Sequence, residues 1–387
     1  MFIPTFQGLT ATDFVLSASG RTTARRYPFD VPHLTFYRAR NAIYHLFRVL
    51  KSSNEQLTVL VPDYNSGNEV LALEAAGATI RYYPVGPDGQ ADVAEVERLC
   101  ALHQADVLYA IHYLGWPQPI RQFSDIARRR GMWLVEDCAL ALLSDAGDQP
   151  LGTFGHFSIF CLYKTLPLPN GACLVENGEH LAALDDISLR QAGLPSVLGR
   201  TAELVVRNIR SRSDSLGAAM DSMKRAAGRA VGAMDVPRAK IGDIGFNIED
   251  VDLAMSEISA RLLKRLNFED VRNRRIENYR RLANQLAGQV TPLHDDLPIG
   301  VCPLIFPILV EDKQGTADAL RGFGVDVLEF WNHGANETDL VQKEMPRDSS
   351  AQYLRRHVLG LPIHQDLTDR HIDYVAEQVG RLNLRMT

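Results

Sequence analysis

Between Gly155 and Val175 the chain reads GHFSIFCLYKTLPLPNGACLV, two apolar runs around a single lysine, Lys164. A lysine that serves only solubility belongs on an exposed helix face. One set at a strand end in apolar surroundings gives up its proton more readily, because desolvation disfavours the ammonium, and it can then act as a nucleophile. Asp137 closes another apolar run, MWLVE, and alternation along a strand turns its neighbour Glu136 to the opposite face. Taken singly, Lys164 could be a solvated lysine and Asp137 a turn or helix-capping residue. Taken together, they supply what pyridoxal 5'-phosphate requires. The amine forms an imine with the aldehyde, and the carboxylate keeps the ring nitrogen protonated so that the ring withdraws electrons. Lys164 would also move a proton at the substrate carbon.

The phosphate of such a cofactor asks for backbone amides at a helix start together with positive charge. Tyr37-Arg38-Ala39-Arg40-Asn41-Ala42 opens a helix and offers both, with Arg40 and Asn41 as candidate ligands; two arginines on a solvated first turn fit the same pattern. Ser158 could donate a hydroxyl to the phosphate, while Cys161 on the same run is a packing residue. Tyr64, after VLVPD, could stack on the pyridine face or belong to the core. His112, in IHYLG, sits beside the ring or is a hydrogen-bonded core histidine.

The elements that must position these residues alternate from about residue 35 to 175. A helix over TFYRARNAIYHLFRVL puts Ala39, Ala42, Ile43, Leu46, Phe47 and Leu50 on one face. The strand LTVLVP follows, then a helix through Glu69–Ala76 stopped by Gly77. Next come TIRYYP, the helix DVAEVERLCALH, DVLYAIHY, the helix IRQFSDIARRR ending at Gly131, and MWLVE. This alternation predicts an α/β fold: a three-layer α/β/α large domain around a mostly parallel sheet. Ligands of such sheets bind beyond the carboxyl ends of the strands, and Tyr64, His112, Asp137 and Lys164 all fall at or just after such ends.

After Val175 the pattern turns helical. Residues 200–240 hold nine Lys or Arg against four Asp or Glu, which reads as a solvated helical insertion (about 196–243) or as a surface for an acidic partner or membrane face. Residues 250–287 read as one or two long helices. From about 300, VCPLIFPILVED, the helix DALRGFG and VLGLPIHQDLTDRHIDYVAEQV suggest a smaller C-terminal α+β domain, with Thr368 capping its last helix. The expected division is 1–270 and 271–387.

Hydrophobic residues make up 46% and charged residues 23% of the 387, a globular rather than a disordered composition. A net charge of -6 argues against nucleic acid as a partner of the whole chain. The five cysteines form no CxxC pair, which suits reduced, packed thiols. No run approaches the roughly twenty apolar residues needed to cross a bilayer. The N-terminal MFIPTFQGLTATDF lacks the pattern of a signal peptide, so the expectation is a soluble cytoplasmic protein. No GxGxxG or GxxxxGK[ST] lies where a strand meets a helix, no GxSxG is present, and the histidines lack zinc-ligand spacing, so no metal is expected.

From about residue 30 to 385 the order of motifs resembles the DegT/DnrJ/StrS family of pyridoxal-phosphate-dependent aminotransferases, of the aspartate-aminotransferase fold (fold type I). RARNAIYHLF resembles its SGTxAL region, AIHYLG its VHLYG, and LVEDCALAL its xxEDxAQAxG. GTFGHFSIFCLYKTLPLPNGACLV is similar to GxxGDxxxFSFxxxKxxxxGxGG, GFNIEDVDLAMSEISARLLKRL to GYNYRMSxxQAAxxxxQL, and LGLPIHQDLTDRHIDYV to LPLHxxLTDEDxxxV. The resemblance implies that Lys164 is the imine lysine and Asp137 the pyridinium partner. It also implies that Asn247 reaches the phosphate of the neighbouring subunit's cofactor, in a homodimer with shared sites. Four positions depart from the pattern: the cup threonine falls on Arg40, the glutamine after the aspartate on Leu140, an arginine on Glu249, and the serine before the lysine on Ile159. A family branch with histidine in place of the lysine deoxygenates sugars, and Lys164 argues against that branch. The expected reaction moves an amino group from a donor such as glutamate to a keto or aldehyde acceptor, a sugar or a secondary-metabolite intermediate. The alternatives are a lyase or carbon–carbon bond-forming enzyme on the same cofactor, and a non-catalytic binding or regulatory descendant.

Overall fold

The computed structural model describes residues 1–10, 26–178, 180–212, 245–331 and 349–384. Most of the expected insertion therefore lies outside the described residues, apart from its first helix.

Short runs of β-branched and aromatic residues set the strands: β1 (Leu34–Phe36), β2 (Thr58–Pro62), β3 (Thr79–Tyr83), β4 (Val107–Ile111) and β5 (Trp133–Asp137). A small hairpin, β6 (Asp145–Ala146) with β7 (Gln149–Pro150), precedes β8 (Phe157–Cys161) and β9 (Ala172–Glu176). Seven of them form one sheet in the order β1-β9-β8-β5-β4-β2-β3. From β3 to β8 the pairs are parallel, and β9 and β1 add antiparallel ends. Every residue of β4 and β8 is buried, as a sheet covered on both faces demands.

The connecting helices are α1 (Ala39–Ser52), α2 (Asn68–Ala75), α3 (Val93–His103) and α4 (Ile120–Arg130). Asp92 caps α3 by accepting from the Glu95 N–H, and Gly131 ends α4 in the left-handed region at φ 66°. The architecture is the three-layer α/β/α arrangement that the alternation predicts. Lys164, expected at a strand end, sits instead on a single helical turn, α5 (Leu162–Thr165), because the chain curls immediately after β8.

Beyond β9 come α6 (Leu194–Arg212), α7 (Glu257–Leu263) and α8 (Phe268–Gln285). Of the one or two long helices expected over 250–287 there are two, a short α7 and a long α8, which Asn267 starts by accepting from the Glu269 and Asp270 N–H groups. The division expected at residue 270 falls in the first turn of α8, which runs unbroken across it. A second sheet is wholly antiparallel, in the order β10 (Thr291–Pro292), β11 (Phe306–Leu309), β13 (Val358–Leu361), β12 (Leu328–Glu329). With α9 (Lys313–Gly322), α10 (Ser350–His357) and α11 (Asp369–Gly380) it makes the smaller α+β part. Thr368 stands at the N-cap of α11, where its N–H meets His371 Nδ1. The chain start joins this part, since Ile3 bridges Val325. Among the described residues no helix is long and apolar enough to cross a membrane.

Candidate active site

Asp137 ends β5 in register with Ile111 on β4 and Ile159 on β8. Its Oδ2 accepts from the Tyr109 hydroxyl at 2.7 Å and its Oδ1 from the Ala139 N–H at 2.9 Å. Burial pushes the carboxyl above the usual aspartate range and the charge of Glu69 adds to that, while Tyr109, Ala139 and the Lys164 ammonium pull the other way. A desolvated carboxylate held by two neutral donors can still gain from a cationic partner.

Lys164 is half-buried on α5 and makes no hydrogen bond or ion pair with any described residue. Its charge is felt by both Asp137 and Cys161. The loop that follows is pinned. The Gly171 N–H donates to the Tyr37 carbonyl at 3.0 Å, and Asn170 exchanges hydrogen bonds with Ser256 at the start of α7. Gly171 has φ +134°, and a Cβ there would meet Met255 Sδ at 2.9 Å, so this turn admits only glycine. The loop after Lys164 is thereby tied to Tyr37, just before the start of α1.

That start carries the charge. Arg38 is the N-cap of α1 and gives the helix no side-chain cap, since a guanidinium has no acceptor. Arg40, in the first turn, donates to the Gly245 carbonyl, and its pKa is lowered by burial and by the Arg38 charge. Asn41 faces elsewhere than expected for a phosphate ligand: its amide donates to the carbonyls of Asp250 (2.6 Å) and Val251 (3.0 Å). Asn247 lies exposed on the same 245–251 segment, its side chain accepting from the Glu249 N–H.

Three other expected residues stand apart from this group. Ser158 pairs in register with Glu136, not Asp137, so alternation turns its hydroxyl to the other face, where it meets the Tyr27 hydroxyl at 2.8 Å. His112 is on that same far side: Nε2 lies 3.1 Å from the Glu136 carboxylate and Nδ1 accepts from the Gln118 N–H. Glu136 also takes the N–H groups of Gly152, Phe154 and Gly155. Although His112, Glu136 and Cys138 group ligand-type atoms within 4.8 Å, the carboxylate is thus already filled and burial holds the Cys138 thiol far up. Tyr64 is buried after β2, its ring packed by Tyr113, Phe330 and Trp331 and its hydroxyl without a partner among the described residues.

The donor set fits pyridoxal phosphate. Lys164 offers the amine, Asp137 a buried carboxylate for the ring nitrogen, and the start of α1 a cationic cup for the phosphate. Sequence reasoning missed Tyr109, Glu69 and the individual role of Arg38. Tyr109 precedes Ile111 by one strand period and so shares the face that meets Asp137, a signal that was there to be used. Glu69 gave none.

Comparison with known proteins agrees with this geometry. GDP-perosamine synthase of Escherichia coli O157:H7 is 28% identical over 144 residues, 35% of this chain and 38% of that protein, so the aligned part spans under two fifths of the relative's length. Helicobacter pylori PseC, an aminotransferase involved in the biosynthesis of pseudoaminic acid, superposes with a TM-score of 0.70 at 16% identity, covering 98% of each chain. The PLP-form of Spr1654, a sugar aminotransferase candidate from Streptococcus pneumoniae, gives 0.68 at 16% identity over 99% of each chain. At such identities the structural likeness is one of fold. The sequence model of the DegT/DnrJ/EryC1/StrS aminotransferase family matches residues 39–380, and the chain belongs to that family.

Proposed function

We propose that this protein is a pyridoxal-phosphate-dependent aminotransferase, carrying an amino group from an amino-acid donor such as glutamate to a keto or aldehyde acceptor on a sugar. The observation that carries the reading is the buried Asp137 carboxylate at the end of β5, with Lys164 on the turn that leaves the neighbouring parallel strand β8. When bound, the cofactor supplies an aldehyde for the amine and a ring that withdraws electrons from the substrate carbon. Asp137 would hold the proton at the ring nitrogen, because a desolvated carboxylate favours a cationic N–H partner. Lys164 Nζ would be the amine that holds the aldehyde, and it would move the proton at the substrate carbon. The first N–H groups of α1 would hold the phosphate, with the charge of Arg40 beside them. The name of the Escherichia coli relative directs the acceptor towards a nucleotide-linked sugar.

Asn247 completes the phosphate site of a second copy in a homodimer. Supporting this, Ile248 beside it and Leu194 and Leu198 at the start of α6 are exposed apolar side chains. The large and small parts meet near residue 270.

Absorption spectra of the protein with cofactor, followed by borohydride reduction and peptide mass spectrometry, test the reading; the adduct is expected on Lys164. Glutamate, and GDP-perosamine offered in reverse, should convert the cofactor to pyridoxamine phosphate. An adduct on another lysine, or none, sinks the cofactor assignment. An adduct that no amino donor converts would move the protein to the lyase or non-catalytic readings.

A further inference from the structure

Arg38 is 8% exposed, yet its Nε and Nη2 are buried without any hydrogen-bond partner. Burying a guanidinium with donors unmet is costly, so its retention asks for an anion. Its position says which kind. The residue is the N-cap of a 14-residue helix whose first N–H groups also lack side-chain acceptors. Its charge acts on Arg40 in the first turn and on Tyr163, the residue before Lys164. The guanidinium carbon lies 5.5 Å from the ring centroid of Tyr37, whose carbonyl takes the Gly171 N–H from the loop that follows the amine-bearing turn. Arg40 is already committed to the Gly245 carbonyl, which leaves Arg38 as the donor in reserve.

We infer that Arg38 is the principal ligand of a phosphate-ester dianion seated on the start of α1, so that charge-assisted guanidinium contacts replace the hydroxyl cup that the departures at Arg40 and Ile159 remove. The inference rests on the proposed cofactor reading for the source of the ester. A guanidinium presents parallel N–H donors to two phosphate oxygens, a match that hydroxyls lack. The socket should therefore discriminate strongly between phosphorylated and unphosphorylated forms of one ring compound, and lose that discrimination as salt rises.

The test compares wild type, Arg38→Met and Arg38→Lys, titrated with pyridoxal phosphate and with pyridoxal while the Lys164 adduct is followed by absorbance. Thermal shifts of the apoprotein are read in parallel with inorganic phosphate and with glutamate. Arg38→Met should cut the affinity ratio of the phosphorylated to the unphosphorylated compound by about 10- to 100-fold. Affinity for pyridoxal itself should stay unchanged, and Arg38→Lys should recover part of the ratio. Inorganic phosphate should raise the melting temperature of wild type and not of Arg38→Met. A ratio unchanged in both variants overturns the inference, as does the absence of any phosphate shift in wild type, which needs no variant to fold. A shift with glutamate but not phosphate reassigns Arg38 to a substrate carboxylate and equally overturns it. If neither pyridoxal compound forms an adduct, the cofactor reading fails, while the phosphate shift still judges the socket by itself.

Discussion

The Tyr109 hydroxyl donates to Asp137 Oδ2 at 2.7 Å, from the middle of one parallel strand to the end of its neighbour, both residues being buried. This bond and the Ala139 N–H are the neutral groups that hold the carboxylate charged against burial and against Glu69. Tyr109→Phe should lower turnover about tenfold, by the loss of one hydrogen bond to a charged group, without dispersing the fold. Asp137→Asn should lower it by about 100-fold or more. The folded carboxyl is held above its unfolded value, so just above the usual aspartate range the folded chain binds the extra proton and stability falls as pH rises. The apoprotein of Asp137→Asn should lack that fall in a pH series of thermal melts. Turnover of either variant at the wild-type rate would reduce the carboxylate to a cap.

How much of this was legible beforehand follows from period and pairing. The apolar runs gave the strands and the strand ends gave Asp137 and the neighbourhood of Lys164, because both depend only on local pattern. Ser158 was misplaced because one residue decides a face. Ile159, not Ser158, stands level with Asp137, and that register belongs to the sheet rather than to either run alone. Glu69 was out of reach for another reason. It acts on Asp137 through space from a helix reached by a different crossover, and no spacing in the chain encodes that meeting. The fold of α5 was lost to the same limit, since a single turn carries too few residues to show a period.

Glu136 gathers the N–H groups of Gly152, Phe154 and Gly155 at 2.6–2.9 Å, all from the turn that leads into β8. Glu136→Gln keeps the shape but sets an amide NH2 against donors and removes the charge. The expected loss is about 2–4 kcal/mol of stability, measured by urea unfolding. A loss below about 0.5 kcal/mol, the scale of a neutral surface change, would show that backbone pairing alone orders the turn.

Arg355 on α10 reaches from the smaller part to the larger. Its Nη2 donates to the carbonyls of Asp63 (3.3 Å) and Asn65 (2.9 Å), which bracket Tyr64, and its guanidinium carbon lies 5.4 Å from the Tyr64 ring centroid. Arg355→Met should cost about 2–3 kcal/mol, since the Asn65 carbonyl loses its charged donor and the Asp63 carbonyl keeps only the longer bond from the Asn65 amide. Arg355→Lys should restore less than half, because a point ammonium cannot span both. Full rescue by lysine in urea melts would show that charge alone suffices.

Lys313 supports Arg355 from behind, its Nζ donating to the carbonyls of Phe330 and Arg355 at 2.8 Å each. Burial pushes its pKa down to about 7 from the ordinary 10.5. Between those values the unfolded chain binds the proton that the folded chain releases, so this residue adds stability as pH rises. The stability difference between wild type and Lys313→Met should therefore grow in favour of wild type by up to about 1.4 kcal/mol per pH unit above pH 7. A constant difference from pH 7 to pH 9 would mean that the amine keeps its proton in the fold.

Asn247 is the crest of a segment whose two ends are tied down on its own α1: Arg40 holds the Gly245 carbonyl and Asn41 those of Asp250 and Val251. The ends are anchored but the Asn247 side chain is exposed, and Ile248 beside it is 53% exposed. An apolar side chain so presented beside a polar one suits an interface better than water. A two-fold axis passing near α1 would bring this crest to the same helix start of a second copy. Mixing Lys164→Ala with Asn247→Ala subunits under exchange tests this. If each site takes its lysine from one chain and Asn247 from the other, one site of every mixed dimer carries both lesions and the other carries none. Random pairing then gives about one quarter of the wild-type sites. If each chain builds its own site, every site keeps one lesion and exchange returns nothing. A stable monomer by sedimentation that still binds cofactor fully would also end the shared-site reading, because no second chain would be there to lend Asn247.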